Sequence, residues 1–315
     1  MAQQTWVADA PSGVYKNHQL SSQLRHAAIA QTKFMQFVKP EAGYGKKKGE
    51  SITITRVSNI AVPSNARLSE TQRISEDVLS ISTVSITVTE WGRAVPYTSL
   101  SEDLSSFNIE NAIQKALMDQ MKLVMDSAAC DAFQACKVKC IPNGIASAVF
   151  DTDGTASTTA SVNLNVYHVE QIRDYMFSTL NVPPYEGDDY IGLISTKGKR
   201  GIMNDPAWET WQKYTDPKAK YNSEIGRLEN IRFIEINNTS SLSGSLGSGG
   251  VLGECLVFGA DAVVMAVAED PELRAKIPDD YGRGKGVAWY GILEFGEVWN
   301  TANAGEARIV HVTSA

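Results

Sequence analysis

Histidine and cysteine are scarce in this chain, with four of each among 315 residues. His18, His26, His168 and His311 lie far apart, and none belongs to a His-Glu-x-x-His pair, which excludes the helical zinc-hydrolase arrangement. Cys130, Cys136 and Cys140 fall close together and Cys255 stands alone. Spacings of six and four residues give neither the Cys-x-x-Cys pairs of a zinc site nor a disulfide framework, so free thiols, some of them buried, are expected. Excess positive charge is missing too. The 29 basic side chains face 36 acidic ones, a net charge of -7, and a chain whose main surface gripped nucleic acid would carry the opposite sign. No apolar run is long enough to span a bilayer, and MAQQTWVADAPSG lacks the apolar core of a signal peptide. A soluble chain of cytosolic origin, with no membrane partner, is the expectation.

Catalytic signatures are equally sparse. There is no Gly-x-Ser-x-Gly elbow, and the nearest approach, Gly244-Ser245-Leu246-Gly247, has the wrong spacing. Asp188-Asp189 and Asn204-Asp205 could hold a hard cation, but adjacent acids after Gly187 read first as a turn. His168, at helical spacing from Ile172, reads as a packed or exposed helix residue. Nothing brings together a nucleophile, a base and an orienting group. No catalytic residue, cofactor or metal is therefore expected, and a metal-dependent enzyme using Asp188, Asp189 and Asp205 is the outlying alternative.

Two glycine–lysine clusters invite a phosphate-loop reading. In GYGKKKGESITITR, Lys46, Lys47 and Lys48 precede Gly49, and the next element is a strand. A phosphate loop needs Gly-Lys-Ser/Thr followed by a helix, so this stretch fails. Ser195 to Gly201 follows a strand and could open a helix, yet it also lacks the triplet. Solvated basic turns are expected at both places.

What is present is a large and well-patterned fold. The hydrophobic fraction of 43% and charged fraction of 21% suit a folded soluble protein, long enough for more than one compact unit. Ser21 to Val38 is weakly helical and ends at Pro40. From Ser51 the period becomes two: Ile52 and Ile54 alternate with Thr53 and Thr55, and Val84, Ile86 and Val88 form the return strand. Between them lies a polar tip from Ile60 to Asp77 carrying Arg67, Glu70, Arg73, Glu76 and Asp77. A long two-stranded hairpin is marginal alone in water, so it needs another surface to rest on. A helix follows, cappable by Ser101 or Ser105. Ile109, Ile113, Leu117, Met121, Val124 and Ala128 recur at three- and four-residue steps through about Cys136. About thirty helical residues would span ~45 Å, long enough to act as a strut. A shorter helix is predicted from about Asn165 to Leu180, a buried strand at Ile191 to Ile194, another short helix after Pro206 and a strand at Ile231 to Ile236. NNTSSLSGSLGSGG (residues 237–250) reads as the most flexible stretch, with strands resuming at Cys255, Val263, Val287 and Arg308. The irregular order of strands and helices argues for α+β.

Several of these pieces together carry a resemblance. Asn204-Asp205-Pro206-Ala207-Trp208, Tyr214-Thr215-Asp216-Pro217, Tyr221 to Leu228 and Ile231-Arg232-Phe233-Ile234-Glu235 occur in the order found in tailed-phage major capsid proteins. The helix ending at Pro183-Pro184 and the Tyr290-Gly291-Ile292-Leu293 strand fit as well. The chain resembles, in particular, the family of the coat protein of the coliphage N-four. That resemblance implies the Hong Kong 97-type capsid fold: residues 1–42 as N-terminal arm and 43–98 as the extended E-loop hairpin. Residues 99–140 and 285–315 would form the peripheral (P) domain with its long spine helix, and 141–284 the axial (A) domain. It implies a structural protein, not an enzyme, assembling with itself into hexamers and pentamers of a virion shell around dsDNA in the host bacterial cytoplasm. DNA would be a neighbour by non-specific proximity. A portal protein is the further partner it implies, with a separate scaffolding protein, or none, and decoration proteins as optional ones; an encapsulin-type compartment is the alternative on the same fold. Expected inter-subunit contacts are Lys46, Lys47, Lys48, Arg56, Arg67, Glu70, Arg73, Glu76 and Asp77, with Gly43, Gly45 and Gly49 as the hinge.

Overall fold

The computed structural model describes residues 27–41, 49–60, 62–63, 66–68, 70, 73–105, 108–206, 208, 224–238, 242 and 255–313. Gly43, Gly45, Lys46, Lys47 and Lys48, most of the segment expected to be helical after Pro206, and most of the glycine–serine stretch lie outside the described residues.

The chain builds a hairpin, a four-stranded sheet against a long helix, and a seven-stranded sheet. After β1 (Lys39–Pro40) come β2 (Ser51–Val57) and β3 (Ile81–Thr87), which pair antiparallel from Ser51↔Thr87 to Val57↔Ile81. β4 (Thr89–Thr98) leads into the short α1 (Ser99–Leu104) and the long α2 (Ile109–Gln134). The expected helix is thus two helices: Thr98 caps the first and Asn108, whose side chain accepts from the Asn111 N–H at 3.0 Å, caps the second. At 26 residues α2 spans ~39 Å. Then follow β5 (Val138–Gly144), β6 (Ser147–Asp151), α3 (Val166–Asp174) with a π turn through Thr179, β7 (Tyr190–Ser195) and α4 (Thr196–Met203). The chain closes with β8 (Glu224–Leu228), β9 (Ile231–Ile236), β10 (Cys255–Phe258), β11 (Val263–Ala275), β12 (Gly284–Glu297) and β13 (Ile309–Val312).

The four-stranded sheet runs β1-β11-β12-β4 and the larger sheet β6-β5-β13-β10-β7-β9-β8. Sheet membership does not follow the expected domain ranges. β4, inside the expected hairpin range, pairs with β12 from Thr89↔Leu293 to Thr98↔Gly284. β11, inside the range 141–284, also belongs with β12, and β13, inside 285–315, is a central strand of the seven-stranded sheet. The reason is burial. β13 is Ile-Val-His-Val, buried at every position, and such a strand fits only where both faces are covered.

β7 shows how the two covered faces arise. Ile191 and Leu193 point to a core shared with α2 and the four-stranded sheet, around Phe34, Phe133, Phe258 and Trp289. Tyr190 and Ile194 point to a second core with Val169, Ile172 and Met176 of α3 and its π turn, and Ile202 of α4. Strand alternation therefore ties the two halves of the molecule together through one sheet.

Over residues 27–38, the described part of the helix expected from Ser21 to Val38, only a 3₁₀ turn, Met35–Phe37, forms. Phe34 and Met35 give their N–H groups to the buried Asp126 carboxylate, at 2.8 and 3.3 Å, instead of to a helical carbonyl. Lys39 and Pro40 then join β11 as a parallel edge.

The cluster Ser195 to Gly201 is no solvated turn; it opens α4, with the Ser195 side chain capping Gly198 N–H at 3.3 Å. Its glycines serve packing. A Cβ on Gly201 would lie 2.4 Å from the Leu164 carbonyl oxygen. In a free helix, Gly→Ala gains about 1 kcal/mol. Here overpacking against backbone costs about 1–3 kcal/mol. Gly201→Ala is therefore expected to lower stability, by up to about 2 kcal/mol. A urea titration reads the sign directly.

Candidate functional site

The β2–β3 hairpin is the feature the fold does not cover. Of its fourteen strand residues only Ile86 is buried, packed so closely that a Cβ on Gly296 would meet its Cδ1 at 2.7 Å. The root is held by Arg56. Its Nε donates to Ser82 Oγ at 2.7 Å, and its Nη1 donates to the Val298 carbonyl at 3.1 Å and Asn300 Oδ1 at 2.8 Å. The guanidinium also lies 6.0 Å from the Trp299 ring centroid, with Arg308 at 5.1 Å from the same ring. Arg56, expected at a subunit interface, is thus used inside its own chain. By strand alternation position 56 faces the β12–β13 loop, a contact some 240 residues away in sequence.

Beyond the root, the ladder closes with Ser58 N–H on the Ser80 carbonyl, and the described residues between carry no regular structure. Arg67, Glu70, Arg73, Glu76 and Asp77 are all exposed there, and Arg73 approaches Glu76 at 3.5 Å. Sequence reading stressed these charges and passed over the apolar residues among them. Val57, Ile60, Val62, Leu68, Ile74, Val78, Leu79 and Ile81 are exposed, Val62 at 94% and Val78 at 90%. Eight large aliphatic side chains on one protrusion form an apolar surface of the kind that marks an interaction site. Gly49, beside the hairpin base, sits at φ +105°, a conformation that favours glycine, and a Cβ there would touch nothing within 4 Å.

A second protrusion is the tip of the β11–β12 ribbon. Asp280, Tyr281 and Gly282 are all left-handed, at φ 48°, 54° and 90°. Two consecutive non-glycine residues in that region cost about 1–3 kcal/mol each and persist only where the surroundings fix them. The turn holds Tyr281 fully in solvent beside Ile277 at 87% exposure. Leu100 and Leu104 of α1 are exposed as well, and the Lys285–Glu102 ion pair at 2.8 Å fixes α1 to β12.

Two of the three acids considered for a cation are engaged within the fold. Asp189 receives Arg227 Nη2 at 2.6 Å on one oxygen and Arg232 Nε at 2.7 Å on the other. Asp205 accepts from the Val166 N–H at 3.2 Å at the start of α3. Among the described residues no group of three acids, histidines or cysteines is placed to hold a metal ion. Lys199 of the second basic cluster pairs with Glu235 at 2.7 Å, and that hydrogen bond holds the Glu235 carboxyl below its ordinary range. His168 is buried; its Nδ1 accepts from the Asn165 N–H at 3.2 Å, so its Nε2 carries the proton given to the Gly144 carbonyl at 2.8 Å. Burial lowers its pKa and keeps it neutral. All four cysteines are buried and free, and burial pushes the Cys136 thiol up to about 12.

No protein-family model matches the sequence, and no curated protein matches it. The fold, by contrast, is shared with solved phage capsids over nearly the whole chain. The capsid of Helicobacter pylori bacteriophage KHP30 aligns at TM-score 0.68 and 12% identity, over 96% of each chain. The capsid of cyanophage Pam1 aligns at 0.67 and 12%, over 98% of this chain and 100% of that one. The capsid of Ralstonia phage GP4 aligns at 0.66 and 14%, over 99% of both. This is the α+β Hong Kong 97-type fold.

Proposed function

We propose that this chain is the major capsid protein of a tailed bacteriophage. Its copies assemble into hexamers and pentamers of an icosahedral shell that encloses packaged dsDNA, built in the host bacterial cytoplasm and ending in the virion. The observation that carries the reading is the hairpin: two long strands and an apolar tip that their own chain leaves in water, on a capsid fold matched from end to end. Within that reading the peripheral domain comprises α2 and the four-stranded sheet, the axial domain the seven-stranded sheet, and residues 51–87 the E-loop. The Asp205-Pro206 and Ile231-Arg232-Phe233-Ile234-Glu235 pieces support assignment to the N-four coat-protein family. A portal, scaffolding and decoration proteins are the partners that family brings. The role is mechanical, not enzymatic: overlapping hairpins and tips convert inter-subunit burial into shell strength, at obligate interfaces of about 2,000 Å² or more.

Negative-stain microscopy of the purified protein tests this. Closed shells, hexamer patches or tubes are expected, and a uniform small monomer at every concentration overturns it. Lys46, Lys47 and Lys48 are proposed to meet acids of a neighbouring subunit. Reversing all three charges is expected to reduce assembly while the circular dichroism of the subunit stays unchanged. Shells in undiminished yield would remove that role.

A further inference from the structure

The hairpin's root adjoins Glu297, a half-buried acid with one oxygen closed off from solvent. Glu297 is the last residue of β12, next to Val298, whose carbonyl holds Arg56. Its Oε2 is closed off from solvent and has no hydrogen-bond partner. Three cations attract it through space, Lys139 on β5 first, then Arg56 on β2 and Lys137 in the bend after α2. Lys139, only 5% exposed, spends its protons on the Gln134 carbonyl at 2.7 Å and His311 Nδ1 at 3.3 Å, with Cys136 Sγ at 3.9 Å. Arg56 spends its own on Ser82, Val298 and Asn300. Among the described residues the other faces bring no further hydrogen-bond partner to its Oε2. Val263 opposite it on β11 is apolar, Glu306 is held by Ser58, Thr301 and Asn303 and also attracts Arg56, and Arg308 bonds the Gly305 and Ala307 carbonyls.

A carboxylate with a buried, unbonded oxygen is costly, and the neutral acid avoids most of that cost. Burial therefore raises the Glu297 pKa to about 8, even against the attraction of the three cations. We infer that Glu297 is a proton latch on the hairpin. Protonated, it leaves Arg56 on Val298 and Asn300; ionised, it draws Arg56 away and loosens the root that sets the hairpin's direction. The latch rests on the capsid reading for its purpose, since the hairpin is the part that must find a neighbour. Its mechanism is internal to one chain.

The sign follows from proton linkage. The folded chain keeps a proton that the unfolded chain releases near the ordinary carboxylate value, so the fold loses stability as pH rises from there through about 8. Local opening at the root relieves part of that penalty.

Hydrogen–deuterium exchange on unassembled full-length subunits, corrected for intrinsic rates, tests the latch between about pH 6 and about pH 9.5. Protection of the β2 and β3 amides is expected to fall about tenfold across that range, the change that one pKa unit of relief supplies. Glu297→Gln, which has the same shape and no ionisation, is expected to hold protection constant. Arg56→Met is expected to leave the hairpin loose at every pH, which provides a check should the first variant misfold. Parallel curves for wild type and Glu297→Gln overturn the latch, as does a pH-dependent hairpin in Arg56→Met. Because the subunits are unassembled, shells that fail to form and a latch that fails to respond are separate results.

Discussion

Replacing residues 59–79 by a two-residue Asn-Gly turn is expected to abolish closed shells while leaving the subunit folded. Ser58 and Ser80 already face each other through a backbone hydrogen bond at 3.0 Å, so a tight turn can join them without moving either strand. Ile86 and the Arg56 contacts, which bind the hairpin to its own chain, remain. The deletion removes Ile60, Val62, Leu68, Ile74, Val78 and Leu79, all exposed. Fully burying a large aliphatic side chain is worth about 1.5–3 kcal/mol, so even half-burial against a neighbour loses several kcal/mol per subunit. A shell multiplies that loss over every subunit. The folded chain loses almost nothing, since those side chains touch little within it, and shortening a loop lowers its closure entropy only slightly. Sedimentation and microscopy should show dispersed subunits with an unchanged thermal midpoint. Normal shells from the deleted chain would refute the hairpin's role in assembly.

The hairpin also shows what could be read from residues alone. Its strands were legible because alternation of Ile, Val and Thr leaves one pairing that keeps Ile52, Ile54, Val84 and Ile86 on a common face. The spine helix was legible because its apolar stripe persists for seven turns. Sheet membership was not. β11 and β13 are both apolar strands near the end of the chain, and only pairing across distant segments decides that one joins β12 and the other joins β5 and β10. The same holds for Arg56: its charge made it an interface candidate, yet a partner in the β12–β13 loop is invisible to local pattern. The valine and isoleucine residues of the tip were present in the sequence, but exposure is a tertiary property. Their spacing there follows no helical or strand period, so nothing local separated them from core.

The segment that leads into β1 depends on one side chain in the same way, and removing it should have the largest effect on subunit stability. Asp126 lies on α2, fully buried, with Oδ1 accepting the Phe34 and Met35 N–H groups at 2.8 and 3.3 Å. Phe34 is itself buried against Phe133, ring centroids 6.0 Å apart. Asp126→Ala would strand two backbone donors, each unmet donor costing about 1–3 kcal/mol when it cannot reach water. A net loss of about 3 kcal/mol is expected, less if the segment peels away and exposes Phe34 instead. Peeling would appear as hydrogen exchange at residues 33–38 with α2 still protected, whereas a global effect would lower the urea midpoint for every probe. Asp126→Asn keeps an acceptor in place and should cost far less. Burial raises the Asp126 carboxyl above its ordinary value, so its folded state also loses stability as pH climbs through that raised range. The asparagine variant lacks that dependence. If alanine and asparagine prove equally damaging, the carboxylate's charge, and not its role as acceptor for the arm, holds this junction together.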